Sequence, residues 1–99
     1  MEYDKLIIEL SEKIVTYNKK HIDLTRNEFQ LLLFMCANKK RVISKRAIAE
    51  HLLGEEVDNI DSFYSVYAHI KNLKKKLKDA SCPKCIKTVY GLGYKFEML

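Results

Sequence analysis

Residues 62–78, SFYSVYAHIKNLKKKLK, constrain this chain more than any other stretch. Phe63, Val66, Ile70, Leu73 and Leu77 recur at steps of three and four, which places them on one stripe of a helix. The opposite face carries Tyr64, Ala68, Lys71, Asn72 and Lys75, flanked by Tyr67, Lys74 and Lys78. Five lysines and no Asp or Glu fall in this stretch. A helix that is merely solvated mixes signs, often as i, i+4 pairs. One-sided positive charge over an apolar stripe is what a helix needs to dock on a core and face a polyanion. The spacing predicts a helix from about Asp61 or Ser62 to Lys78, broken by DASCPKC and its Pro83.

The segments on either side narrow the fold class. KLIIEL (5–10) reads as a strand, and KIVTYN and KHIDL flank a polar NKK as a hairpin. TRNE then forms a capping box, with Thr25 accepting from the Glu28 N–H and Glu28 reaching back. Phe29, Leu32, Leu33 and Cys36 follow at helical spacing, for about four turns. Ser44 caps a second helix whose packed face is Ala47, Ile48, His51 and Leu52, and Gly54 stops it. EEVDNID (55–61) is an acidic loop. After the third helix, IKTVY, GLG and YKFEM make a second hairpin. The predicted class is α+β: an N-terminal antiparallel sheet, three helices as a helix-turn-helix, and a C-terminal β-hairpin wing.

Charge separates the two halves. Residues 1–59 carry ten Lys/Arg and ten Asp/Glu, whereas residues 60–99 carry eight lysines and three acids. The net charge of +5 therefore lies in the last forty residues. At 99 residues the chain is expected to form one domain (1–99). No run approaches the ~18 apolar residues of a membrane span, and no basic segment precedes the first apolar run. A cytoplasmic protein without a membrane partner is expected. Cys82 and Cys85 have metal-ligand spacing, but no ligand quartet and no thioredoxin-like setting is visible. Reduced thiols in a turn, no metal and no cofactor are expected.

The chemistry follows from the side chains. Asn72 can pair bidentately with adenine, and Lys71 and Lys75 can reach guanine acceptors or phosphates. Ala68 is small where the helix backbone must approach the bases. Tyr64 and Ser65, read as first-turn residues, lie where hydroxyls and helix N–H groups meet phosphate. In the hairpin, Thr88, Tyr94 and Lys95 can hold phosphate, and Tyr90, Gly91 and Gly93 form the tip. The Gly-x-Gly is not a phosphate loop, because no helix follows it. No paired carboxylates or nucleophile–base set is present, so no enzyme is expected. The alternative reading is a protein-interaction module of the same architecture, which would show an exposed apolar patch.

LTRNEFQLL (24–32), RVISKRAIAEHLLG (41–54), VYAHIKNLKKKL (66–77) and IKTVYGLGYKFE (86–97), in this order, resemble the OmpR/PhoB-type winged-helix DNA-binding domain of two-component response regulators. The resemblance implies a four-stranded N-terminal sheet, a third helix in the major groove and a wing at the adjacent minor groove. It implies transcription regulation in phosphorelay signal transduction, with head-to-tail pairs on direct repeats and an isolated domain that is monomeric. By position, Tyr67, Ala68, Lys71, Asn72 and Lys75 face bases. Tyr64, Ser65, His69, Lys74, Thr88, Tyr94 and Lys95 meet the DNA backbone. Glu55, Glu56, Asp58 and Asp61 belong to a loop that touches RNA polymerase. Tyr90 stands where the family often has a wing arginine. The family's regulators carry a receiver domain, for which these residues leave no room, so a receiver in cis would lie outside them.

Overall fold

The computed structural model describes residues 1–54 and 60–98, except the side chains of 60 and 61. Strict alternation builds the first sheet. In β2 (Leu6–Glu9), Leu6 and Ile8 turn inward while Ile7 and Glu9 face out. In β3 (Ile14–Tyr17), Val15 and Tyr17 are the buried pair. β1 (Glu2–Tyr3) adds to the free edge of β2, and β4 (Lys20–Ile22) pairs with β3, giving the antiparallel order β1-β2-β3-β4. Asn18 and Lys19 join β3 to β4 with φ of 50° and 68°. That is the pattern of a type I′ turn, whose twist matches the strands.

The capping box forms as expected. Glu28 N donates to Thr25 Oγ1 at 3.2 Å, and Thr25 N donates to Glu28 Oε1 at 3.0 Å. The resulting α1 (Arg26–Ala37) is just over three turns rather than four. Its buried face is Phe29, Leu31, Leu32, Met35 and Cys36, with Leu33 only half buried. Leu31 and Met35 are inside because they join the common core, with the two later helices packed against α1. α2 (Lys45–Leu53) starts with Ser44 Oγ accepting from Ala47 N at 3.0 Å. Ile48 and Ala49 are its fully buried pair, and His51 is exposed. The His51 ring still lies flat on Phe34 of α1, with centroids 4.0 Å apart.

α3 (Ile60–Asp79) buries Val66, Ile70, Leu73 and Leu77, as the stripe predicted. It ends in a Schellman turn: Ser81 takes φ of 66°, Ser81 N donates to Lys78 O, and Cys82 N donates to Leu77 O. The turn carries Cys82 onto the core, and Cys85 is buried too. These thiols are core side chains rather than turn surface.

The wing strands β6 (Ile86–Val89) and β7 (Gly93–Phe96) pair antiparallel, with a third strand beside them. β5 (Val42–Ile43) lies on the outer edge of β7, in the order β5-β7-β6. The sequence reading did not find this strand. It is two residues long, and its pairing partner lies more than fifty residues away. Leu6, Ile8, Leu31, Leu32, Met35, Ile48, Leu73, Ile86 and Phe96 join both sheets and all three helices in one core.

Candidate nucleic-acid interface

The outward face of α3 is open. Tyr64, Tyr67, Ala68, Lys71, Asn72 and Lys75 are all exposed. The anchored stripe on the opposite side fixes their direction. Tyr64 and Ser65 differ from the sequence reading in one respect. With α3 beginning at Ile60, they lie in the second turn, so their backbone N–H groups belong to the helical ladder. Only their hydroxyls can meet a ligand.

α3 and the wing enclose a cleft of about 670 Å³. Tyr67, Lys71 and Lys74 line it from the helix; Thr88 and residues 89–94 line it from the wing. Lys74 Nζ donates to Thr88 Oγ1 at 3.0 Å and lies 5.8 Å from the centre of the Tyr94 ring. Burial, then the charge of Lys84, holds the Lys74 ammonium below the usual lysine range. Tyr94 is only 4% exposed and forms the floor of the cleft. Burial, then the neighbouring Tyr67, raises its phenol above the ordinary value. Lys74, Thr88 and Tyr94, expected at phosphate positions, thus also fasten the wing to α3.

The five lysines of the third helix are not equivalent. Lys76 turns back to Glu28, its Nζ 2.6 Å from the carboxylate. Glu28 is 2% exposed. Burial pushes its carboxyl up, but hydrogen bonds from Lys76 and from the Thr25 backbone outweigh that and hold it below the usual range. Lys75 meets Asp79 at 3.2 Å, an exposed i, i+4 pair worth about 0.3–0.5 kcal/mol and readily exchanged for a phosphate. Among the described residues, Lys71 has no acidic partner and no acid lines the cleft.

Two expected contacts fall elsewhere. His69 Nε2 lies 3.3 Å from Asn27 Nδ2 and 3.4 Å from Ser65 Oγ. The Asn27 amide nitrogen can only donate, so Nε2 accepts, and the ring links α3 to α1. Lys95 projects from the far face of β7, because its neighbours Tyr94 and Phe96 are the buried pair. There it lies in register with Val42 and Lys87, beside the Lys87–Glu97 pair at 3.0 Å. Glu55, Glu56 and Asp58 lie outside the described residues, as does the Asp61 side chain.

The two glycines of the wing have separate tasks. Gly91 takes φ of 79° at the third position of a turn closed by Leu92 N donating to Val89 O at 3.0 Å. That is the place a type II turn reserves for glycine. Gly93 is not at the tip. A Cβ there would lie 2.0 Å from the Ile43 carbonyl oxygen, so Gly93 is what lets β5 lie against β7. The tip itself presents Tyr90, 91% exposed, and Leu92, 66% exposed.

Lys45, Val89 and Leu92 line the cleft but escaped the sequence reading. Lys45 reaches the cleft from the first turn of α2, and Leu92 stands on the wing. Lys45 has a signal in hindsight, since it follows the Ser44 cap at the positive end of a helix. Among the described residues, no group of three His, Cys, Asp or Glu is placed to hold a metal ion. No helix among them is long and apolar enough to cross a membrane.

Comparison with known proteins agrees with this geometry. Residues 18–96 match the family described as "Transcriptional regulatory protein, C terminal". The chain is 36% identical over 93 residues to the regulatory protein VanR of Enterococcus faecium, covering 93% of this chain and 40% of VanR. It is 36% identical over 98 residues to the response regulator SaeR of Staphylococcus epidermidis, covering 98% of this chain and 42% of SaeR. The chain thus spans about two fifths of the length of these relatives. Among solved structures it resembles the RstA DNA-binding domain of Klebsiella pneumoniae, crystallised in complex with the RstA box. The TM-score is 0.86 at 28% identity, covering 98% of this chain and 95% of that one. It also resembles the CpxR DNA-binding domain of E. coli, with a TM-score of 0.83 at 26% identity, covering 99% and 95%. The fold is similar to those of the RstA and CpxR domains, and the chain belongs to the OmpR/PhoB-type family of transcriptional regulatory C-terminal domains.

Proposed function

We propose that this chain binds double-stranded DNA in a sequence-specific way, as the output domain of a response regulator that controls transcription. α3 enters the major groove and the wing lies at the adjacent minor groove. The observation that carries this reading is the cleft between α3 and the wing, bordered by Lys45, Lys71 and Lys74, with no acid among its described lining residues. Similarity to the RstA domain, which was crystallised with its DNA box, supports it. A B-DNA major groove accepts one helix, and the exposed face of α3 offers Asn72 for adenine with Lys71 and Lys75 for guanine or phosphate. Tyr90 brings no charge to the minor groove, so the wing holds the backbone more than it reads bases.

The finer assembly is the one the family resemblance implies. Two copies lie head to tail on direct repeats, the isolated domain is monomeric, and residues 55–61 face RNA polymerase. A receiver domain in cis supplies the phosphorylation signal. The site works in the cytoplasm, with no catalytic chemistry of its own.

Selection from random DNA on the purified chain should return a preferred half-site, and the spacing of paired sites should give the pairing geometry. On that site, the triple variant K71A/N72A/K75A should lose affinity. K75A alone should flatten the slope of log K against log salt by about one unit. A folded triple variant that binds the selected site unchanged overturns the reading.

A further inference from the structure

We propose that Cys82 and Cys85 form a redox-active dithiol, which closes reversibly to a disulfide by exchange with a small anionic disulfide. The pair spans Pro83 and Lys84 in the segment joining α3 to β6, and both side chains are buried on the wall of one cleft. Their backbones are held from both sides. Cys82 N donates to Leu77 O at 2.9 Å in the Schellman turn, and the Cys85 carbonyl accepts from Glu97 N at 2.8 Å. The fold therefore fixes both cysteines, three positions apart, on one cleft.

Both thiols are buried, and a positively charged cleft lies beside them. Both cysteines border a cleft of about 430 Å³, whose walls include Leu77, Lys78 and Lys84. Lys74 lines it too, and no acid does among the described residues. Asp4 faces Cys82 from the N-terminal sheet and works against the thiolate. Ammonium groups favour a thiolate and attract an anionic partner. Cys82 is the attacking thiol. The hydrogen bond from Cys85 holds it below the ordinary value despite burial, while that bond and burial raise Cys85. Cys36 is an internal control: burial pushes it up to about 12, and it does not line this cleft.

The exchange balances. The Cys82 thiolate attacks one sulfur of the small disulfide, whose S–S bond breaks, and one thiol leaves after taking a proton. The Cys85 thiol then gives up its proton and attacks the Cys82 sulfur, releasing the second thiol. Two cysteines are oxidised to one disulfide, and one small disulfide is reduced to two thiols.

The native chain is incubated with excess glutathione disulfide, quenched with acid, alkylated after unfolding and mapped by mass spectrometry. The expected product has lost two hydrogens, with Cys82 and Cys85 protected and Cys36 alkylated, and dithiothreitol reverses it. The variant C85S should stop at a glutathione adduct on Cys82, and C82S should form none; circular dichroism checks that both are folded. Full alkylation of Cys82 and Cys85 in the native chain overturns the proposal. So does a disulfide that forms only when the chain is first unfolded. Should either variant fail to fold, the native-chain result decides alone.

Discussion

The two hairpins of this molecule solve one geometric problem in different ways. The β3–β4 hairpin turns on Asn18 and Lys19, both with positive φ and neither a glycine. The wing hairpin turns on Tyr90, Gly91 and Leu92 and has a second glycine, Gly93, below the turn. The first hairpin belongs to a sheet whose inner side chains seal the core, so burial of Val15, Tyr17 and Ile22 can offset a strained lysine. The wing must instead hold a protruding tip. It does so with a third strand on its edge and with Lys74 reaching from α3 to Thr88. A turn serving a core tolerates strain, whereas a projecting arm needs room for the backbone that braces it.

The sharpest way to break this comparison is Gly93→Ala. Its Cβ would meet the Ile43 carbonyl in a region of φ that side chains avoid, so a loss of about 3 kcal/mol or more is expected in urea unfolding. A loss under about 1 kcal/mol would mean that the β5–β7 contact does not brace the wing.

Glu28→Gln tests whether α3 is braced at its inner face as the wing is at its edge. It keeps the capping geometry but removes the charge facing Lys76, at an expected cost of about 2 kcal/mol at neutral pH. The sign of the pH dependence follows from the lowered carboxyl value. Its contribution is fully present above the ordinary glutamate range and is lost as pH falls through the folded-state value. Acid titration of unfolding should therefore bring the two proteins together at low pH. Parallel curves would show that the pair does not stabilise the fold.

Gly91→Ala should cost about 1 kcal/mol, since φ is positive but nothing lies within 4 Å of the added carbon. The gap between the two glycine variants measures the difference between turn and brace. The smallest effect has the opposite sign. Lys19→Gly should raise stability by about 0.5–1 kcal/mol, because Asn-Gly suits a type I′ turn and relieves the residue at φ of 68°. Destabilisation there would show that Lys19 makes a contact worth more than its strain.

The sequence was most legible where interactions are local. The capping box at Thr25, the Ser44 cap, the stripe from Val66 to Leu77 and the hairpin around Asn18 each involve residues within a few positions of one another. Periodicity encodes such features directly, because backbone geometry converts spacing into a face. The exposed residues of α3 were legible for the same reason: once the stripe is buried, its opposite face must point outward. Their neighbours were less so. The role of Lys76 depends on Glu28, 48 positions earlier, and that of His69 on Asn27, 42 positions earlier.

By itself, then, the sequence determined the α+β class, the element order, the basic α3 and the place of the wing. Tertiary structure alone decided which lysines stay outward, that β5 completes the wing sheet, and that Cys82 and Cys85 border one cleft. It also decided what the two glycines of the wing do. Gly91 is demanded by its own turn, which spacing reveals. Gly93 is demanded by the carbonyl of Ile43, which only chain folding brings within 2.0 Å of the carbon it excludes.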